Sequence, residues 1–392
     1  MAAEAAAITL YETEDHMARV ERIGDDISAA AEEIDQTRRL PKGLLAKMHG
    51  EKLFRLLLPK DYGGLEIDPP TFFRITSAIA QRDASVGWVT CQGNGCSTSA
   101  AYVPPATAEE IWGNDPAGVL AWGPGKAEVE VREDGYYVKE GRWQFASGLR
   151  HATYLGGRFT FTKEDGTEDT RALLFRKEDC ELIDIWNVMG LRGTASDGYS
   201  VKDLFVPKDF SLSRYIIPEE RHCDGPLYTI PTTNLYAIGF SGVANGIARG
   251  MLEDFKTLAS EKQPYRMKQR LAETTAVQNM VATCEAKIKS SRMYVLNEAA
   301  EVFEDVKQKG ELTLDSRMRI RLSTTYAIHQ AKDVVDEIYD ATGATSIFNS
   351  SLFQRRFRDI HTLTQQGQGR KTNFNMVGQH LMGLDPDLPT AY

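Results

Sequence analysis

One apolar stripe limits the folds open to this chain more than any other feature. Val277, Met280, Val281, Cys284, Ile288, Val295, Ala299 and Val302 recur at helical spacing over about seven turns. A helix of that length with one apolar face must be covered by neighbours. A second helical pattern runs from about Leu314 to Thr342 and stops at Gly343, where a glycine suits the C-terminal cap. Long antiparallel helices of this kind make a four-helix bundle, expected over residues 223–392.

The same period governs the other end of the chain. Met17, Val20, Ile23 and Ile27 begin an amphipathic stretch, and a second helix follows Leu40-Pro41, with the proline suited to a first turn. Tyr62-Gly63-Gly64 breaks the pattern, another helix runs from about Pro70 to Arg82, and Pro104-Pro105 closes one more. Between about 118 and 210 the period drops to two. Glu128-Val-Glu-Val-Arg alternates before the turn Asp134-Gly135, and Asp165-Gly166 separates a second pair of strands. Short strands with tight turns predict a small antiparallel barrel or sandwich. The expected fold class is therefore α+β, with a helical domain over 1–117, a β domain over 118–222 and the bundle over 223–392. Gly239, Gly242, Gly246 and Gly250 recur at helical spacing and read as a close helix–helix contact.

Composition narrows the function classes. A formal net charge of −9 disfavours a nucleic-acid partner, which needs a basic footprint. Five cysteines without C-x-x-C spacing suit reduced thiols and point to neither a disulfide framework nor a metal site. The opening Met1-Ala-Ala-Glu has no secretory signature, and no apolar run approaches the roughly 18 residues of a membrane span. A cytoplasmic protein is expected.

Chemistry concentrates in two segments. Gly141-Arg142-Trp143-Gln144-Phe145-Ala146-Ser147-Gly148 ends a strand pattern on a hydroxyl and a bare backbone. Trp186-Asn187-Val188-Met189-Gly190-Leu191-Arg192-Gly193-Thr194-Ala195-Ser196 leads to Phe205-Val206-Pro207. Each brings glycine, hydroxyl and aromatic groups together at a break, where a flat ligand can approach the backbone. The second is not a dinucleotide fingerprint, because it lacks G-x-G-x-x-G and the following helix.

With Arg38-Arg39-Leu40-Pro41, Pro59-x-x-Tyr62-Gly63-Gly64, Asp83-Ala-Ser85-Val-Gly-Trp88, Leu271-Ala-Glu273 and Gln354-Arg-Arg356-Phe-Arg358-Asp359, these segments resemble the acyl-CoA dehydrogenase superfamily. The closer resemblance is to its oxygenase branch, the two-component flavin monooxygenases, and it covers nearly the whole chain. It implies reduced FAD or FMN delivered by a separate NAD(P)H-dependent flavin reductase, O2 as co-substrate, a C4a-hydroperoxyflavin oxidant, a small aromatic substrate, no metal and a homotetramer. It also implies that Phe145, Ala146 and Ser147 line the isoalloxazine, with Thr194 and Ser196 donating to flavin or phosphate. Arg192 would join that cofactor set. Trp122, at a domain junction, and Trp88 are candidate pocket aromatics for cofactor or substrate, with a plain core role the equal alternative for each. Arg266, in a basic cluster with Lys268 and Arg270, would reach a cofactor phosphate, often across a subunit boundary.

Two positions depart from the pattern. The glutamate that removes the α-proton in many acyl-CoA dehydrogenases would fall at Gly367, which disfavours the alternative of an FAD-dependent acyl-CoA dehydrogenase. The histidine common in the oxygenase branch is Gln366. Glutamine hydrogen-bonds but takes no proton, so a substrate electron-rich while neutral, such as an indole, fits better than a phenol needing a base. Ser147, Gln366 and His151, just past the Ser147-Gly148 turn, are the catalytic candidates. His361 lies on another helical face from Gln366, and His380 sits near the C-terminus. A bundle that kept the fold but lost the cofactor is the third reading.

Overall fold

The computed structural model describes residues 2–163, 165–213 and 217–386, with side chains from residue 15 onward. The first helical layer comprises α1 (Ala2–Thr37), α2 (Lys42–Gly50), α3 (Pro69–Arg82), α4 (Ala84–Ser97) and the short α5 (Pro105–Ala108). Val20, Ile23, Ile27 and Ile34 bury the apolar face of α1. Pro41 sits one residue earlier than expected, as the N-cap of α2. Pro105 opens α5 and Pro104 caps it, so that pair starts a helix instead of closing one.

The middle of the chain forms two four-stranded sheets. One has the order β1 (Leu120–Gly123), β4 (Tyr154–Thr162), β5 (Glu168–Arg176), β8 (Ser211–Ser213); the other runs β2 (Gly125–Val131), β3 (Gly135–Ala146), β7 (Asp197–Pro207), β6 (Glu181–Ile183). Both expected hairpins form, β2–β3 and β4–β5. The sheets are not wholly antiparallel, because β1 pairs with β4 in parallel. The β2–β3 hairpin belongs to the opposite sheet, so the chain leaves β1, crosses over, and returns in the same direction. Trp143 is sealed between the sheets, stacked on Tyr199 with ring centroids 5.3 Å apart, and its indole N–H donates to the Arg158 carbonyl at 3.0 Å.

The C-terminal part contains α6 (Thr232–Glu261), α7 (Thr275–Lys309), α8 (Leu314–Thr342), α9 (Leu352–Leu363) and α10 (Asn373–Leu381). Helix α8 ends where the sequence places its cap, with Gly343 at φ +56°. The α7 stripe is buried from Cys284 through Val302 and half-buried over its first turn. Gly239, Gly242 and Gly246 of α6 face α3 and α4, and Gly250 faces Arg356 of α9. A Cβ at Gly246 would lie 2.2 Å from the Ser77 carbonyl oxygen, and one at Gly239 would lie 2.4 Å from the Cys91 sulfur. These glycines let the N-terminal and C-terminal helices share one interface, and α4 comes to lie between α6 and the sheet that begins with β1.

Candidate active site

Strand β3 does not run out smoothly. Its pairing with β7 shifts between Trp143 and Ala146, and Phe145 adopts φ +59° inside that bulge. Leu191 (φ +51°) and Ala195 (φ +43°) are also left-handed. Non-glycine residues pay about 1–2 kcal/mol for this conformation, so three of them in the two conspicuous segments need strong surroundings. The loop 184–197 has them. Leu191 N–H donates to the buried Asp359 carboxylate at 2.6 Å, and Gly193 N–H donates to Ser85 Oγ at 3.2 Å. Asp197 accepts from the amides of Ile185 and Trp186 and from Arg150. Arg358 bonds the Met189 carbonyl and pairs with Asp35 of α1.

This bracing brings the two segments together. Gly148 N–H donates to the Thr194 carbonyl at 2.8 Å, and the hydroxyls line up behind it. Trp88 Nε1–H donates to Ser147 Oγ at 2.9 Å, Ser147 and Ser196 are 2.6 Å apart, and Ser196 and Thr194 are 2.8 Å apart. Thr194 donates to the Leu191 carbonyl at 2.9 Å. That last bond fixes the direction of the whole chain: Thr194 must accept from Ser196, and Ser196 from Ser147. All three hydroxyl protons are committed. Ser147 Oγ is left with a lone pair and no proton to give.

Aromatic surfaces surround this row. Trp88 stacks on Phe240 with centroids 4.0 Å apart. Half-buried Trp122 of β1 carries the Arg158 guanidinium over its ring at 5.6 Å. Phe145 meets Trp186 edge-on at 6.1 Å and stays 58% exposed, although the bulge costs energy to hold it there. Ala146 beside it is fully buried. An exposed aromatic held on a strained turn, next to a hydroxyl acceptor, fits the face of a planar heterocycle such as a flavin.

The other candidates lie elsewhere or are otherwise engaged. Gln366 accepts the Gln368 amide proton on Oε1 at 2.8 Å, while its Nε2 is sealed from solvent with no partner. It is therefore placed as a donor. Gly367 follows as the first residue of a 3-10 turn, held by Arg321 on Gln368 and by Asn373 on the Gly367 carbonyl. The His151 ring packs 5.1 Å from Phe54, and burial, helped by nearby His49 and Lys177, pushes its pKa down to about 3. It faces the core of the N-terminal layer, which corrects its expected place on a pocket rim. Arg192 is spent within the protein, on the carbonyls of Asp35 and Val188. It clasps the loop and has little left for a cofactor. Arg266 is exposed, over the Tyr265 ring at 5.1 Å. His361 bonds Asp336 and His380 bonds Asp315, so both tie helices together.

Several contributors escaped the sequence reading. Asp35 supports the loop from a position with no motif of its own, and Gln92 lies one turn along α4 from Trp88, bonded to Tyr236 of α6. Asp359 was visible only as part of a motif. Burial raises its pKa to about 7, with Asp83 and Asp35 adding to the effect against the Leu191 amide and Arg358. No group of three or more His, Cys, Asp or Glu able to hold a metal exists among the described residues.

Residues 13–104 match the acyl-CoA dehydrogenase N-terminal domain, and residues 238–367 match the acyl-CoA dehydrogenase C-terminal domain. The chain is 27% identical over 384 residues to the flavin-dependent monooxygenase oxygenase subunit HsaA of Mycobacterium tuberculosis, covering 94% of this chain and 96% of that protein. It is 28% identical over 356 residues to indole-3-acetate monooxygenase of Pseudomonas putida, covering 90% of each. Among solved structures, XiaF from Streptomyces sp., bound to FADH2 and glycerol, superposes with a TM-score of 0.90 at 22% identity over 98% of this chain and 99% of that one. The 3-HSA hydroxylase of Rhodococcus sp. RHA1 gives 0.87 at 25% identity over 96% and 99%.

Proposed function

This chain belongs to the acyl-CoA dehydrogenase family, and from that premise we propose that it is the oxygenase component of a two-component flavin monooxygenase acting on a small aromatic. The relatives named above are flavin-dependent or aromatic monooxygenases, and p-hydroxyphenylacetate 3-hydroxylase of Acinetobacter baumannii is a further one, named as an oxygenase component. Reduced flavin would come from a separate NAD(P)H-dependent reductase. When bound, the reduced flavin supplies the electrons that activate O2 for hydroxylation.

The observation that carries the reading is the polarity of the hydroxyl row. A reduced flavin presents an N–H at N5, where an oxidised flavin presents a lone pair. Ser147 Oγ, its proton committed to Ser196, can accept from the first and has nothing to give the second. Phe145 and Trp186 offer the ring a face and an edge. Buried hydroxyls and aromatics around Ser147 exclude water from the reacting side, which protects a reactive intermediate from hydrolysis. Gln366 Nε2 donates to whatever acceptor reaches it, and it cannot act as a base. Gly367 leaves no carboxylate at the dehydrogenase position, which weighs against thioester α-proton removal.

Exposed apolar side chains on the C-terminal helices, Met293, Tyr326 and Leu381 among them, support a homotetramer. Five free cysteines suit a reducing cytoplasm. The test mixes the protein with reduced FAD or FMN, O2 and an aromatic panel of phenols, indoles and anilines. A product carrying one oxygen atom from labelled O2 is the expected result. Flavin reduction by an acyl-CoA, with no oxygenated product, would replace this reading with the dehydrogenase one.

A further inference from the structure

Helix α4 is buried on every side, yet its residual exposure is confined to one face. Trp88 and Gln92 each keep 9%, and Tyr236 opposite them on α6 keeps 8%, whereas Val89, Cys91, Ala237 and Ile238 on the same helices keep 1% or less. The residual exposure thus traces a narrow recess along Trp88, Gln92 and Tyr236. Its walls are aromatic. Trp88 stacks on Phe240, and Phe240 stacks on Tyr236 at 5.5 Å. The Tyr236 ring seats against bare backbone, since a Cβ at Gly95 would come within 2.0 Å of it. Trp88 also bonds Ser147, and Gln92 is one helical turn further along the same face. The recess thus runs on from the hydroxyl row.

Gln92 is the polar group in that wall, and its amide is oriented. Nε2 donates to the Tyr236 hydroxyl at 2.8 Å and to Cys96 Sγ at 3.5 Å, which uses both of its protons. The Tyr236 hydroxyl also reaches the Gln92 main-chain carbonyl and Cys96 Sγ, each at 3.3 Å. Gln92 Oε1 is left with no partner among the described residues and stays open to the recess. Burying an acceptor without a donor is costly, whereas supplying the donor recovers the bond.

We propose that Gln92 is a specificity-determining residue whose Oε1 accepts the ring N–H or O–H of a planar, neutral aromatic substrate lying against the wall formed by Trp88, Phe240 and Tyr236. This deepens the oxygenase reading and rests on it. A carbonyl oxygen attracts a neutral N–H and repels a phenolate, so the recess selects an arene that is bound protonated. That matches a site in which Gln366 cannot take a proton.

Calorimetric titration of the full chain with indole and with benzofuran, which has the same shape and no N–H, tests the assignment. Wild type is expected to bind indole about tenfold more tightly, the worth of one hydrogen bond to a buried acceptor. Gln92→Met, close in length to the original, is expected to bring indole down to benzofuran's level while circular dichroism stays unchanged. Tyr236→Phe frees the amide to turn over and is expected to erode the preference without removing Gln92. Equal binding of the two ligands by wild type, a preference retained in Gln92→Met, or no binding of either would overturn the proposal. Product formation with reduced flavin and O2 separates the two readings. Hydroxylation without the indole preference sinks the role of Gln92 alone, and the preference without hydroxylation sinks the oxygenase reading alone.

Discussion

At the scale of single residues, the site depends on which atoms are donors. Removing the Ser147 hydroxyl leaves the Trp88 N–H and the Ser196 oxygen unpaired and deletes the acceptor aimed at a flavin N–H. Ser147→Ala is expected to weaken anaerobic binding of reduced flavin about tenfold, the worth of one hydrogen bond, and to change oxidised flavin binding less. An equal loss for both redox states would show that Ser147 acts only in packing. Asp359 makes a pH-dependent prediction. Its pKa is raised to about 7 in the folded protein against about 4 in an unfolded chain. The folded state then binds more protons than the unfolded state between those values, so this group's contribution falls as pH rises from about 4 to 7. Asp359→Asn keeps an acceptor for the Leu191 amide and cannot ionise. The difference in Tm between variant and wild type is expected to move in the variant's favour, by several degrees, across that window; a constant difference would contradict the assignment. Ser147, Thr194 and Ser196 were legible in the sequence because strand and loop carry them in compact motifs. Gln92, Tyr236 and Asp35 were not, because their partners lie far away in the chain and no local pattern marks them. His151 misled for the reverse reason. Its place next to Ser147-Gly148 suggested the pocket, but the turn carries its ring toward Phe54.

At the scale of elements, the contact between α3 and α6 carries the architecture. The four α6 glycines were readable as close contacts, but not which helices face them, α3 and α4 for three and α9 for Gly250, since sequence spacing gives a face and not its partner. Replacing glycine by alanine inside a helix gains about 0.5–1 kcal/mol in propensity. At Gly246 the new methyl would sit 2.2 Å from the Ser77 carbonyl oxygen, and overpacking costs about 1–3 kcal/mol. The clash wins. Gly246→Ala is expected to lower stability by about 1–2 kcal/mol in denaturant melts. Gly43 in α2 meets nothing within 4 Å, so Gly43→Ala is expected to be neutral or up to about 0.5 kcal/mol stabilising. A reversal of that order would mean that α6 can move away from α3 freely. The β domain was legible by its turns, Asp134-Gly135 and Asp165-Gly166, because hairpins are local. The parallel β1–β4 pair was hidden, because a crossover leaves no mark in the strands it joins.

At the scale of the whole molecule, the C-terminal helices cover the α7 stripe on one side and leave apolar side chains facing outward. Met293 is 61% exposed on α7, Phe348 is 63% exposed after α8, and Leu381 and Met382 at the end of α10 are more exposed still. Large exposed apolar surface marks an interface, and a second copy of the chain is the simplest cover for it. Sedimentation is expected to give the mass of a tetramer, and Met293→Lys with Phe348→Lys a smaller species of unchanged helicity. The assembly also bears on the cofactor. Arg266 stands exposed at φ +66° over Tyr265, with no role in its own chain that explains the strain. If it reaches a flavin phosphate of a neighbour, Arg266→Ala must weaken reduced FAD binding while the tetramer persists. The lysine pair must then weaken it as well, by breaking the assembly. Binding lost in the lysine pair and intact in Arg266→Ala would place the intersubunit contact on another residue. Binding intact in both would put the whole cofactor site within one chain.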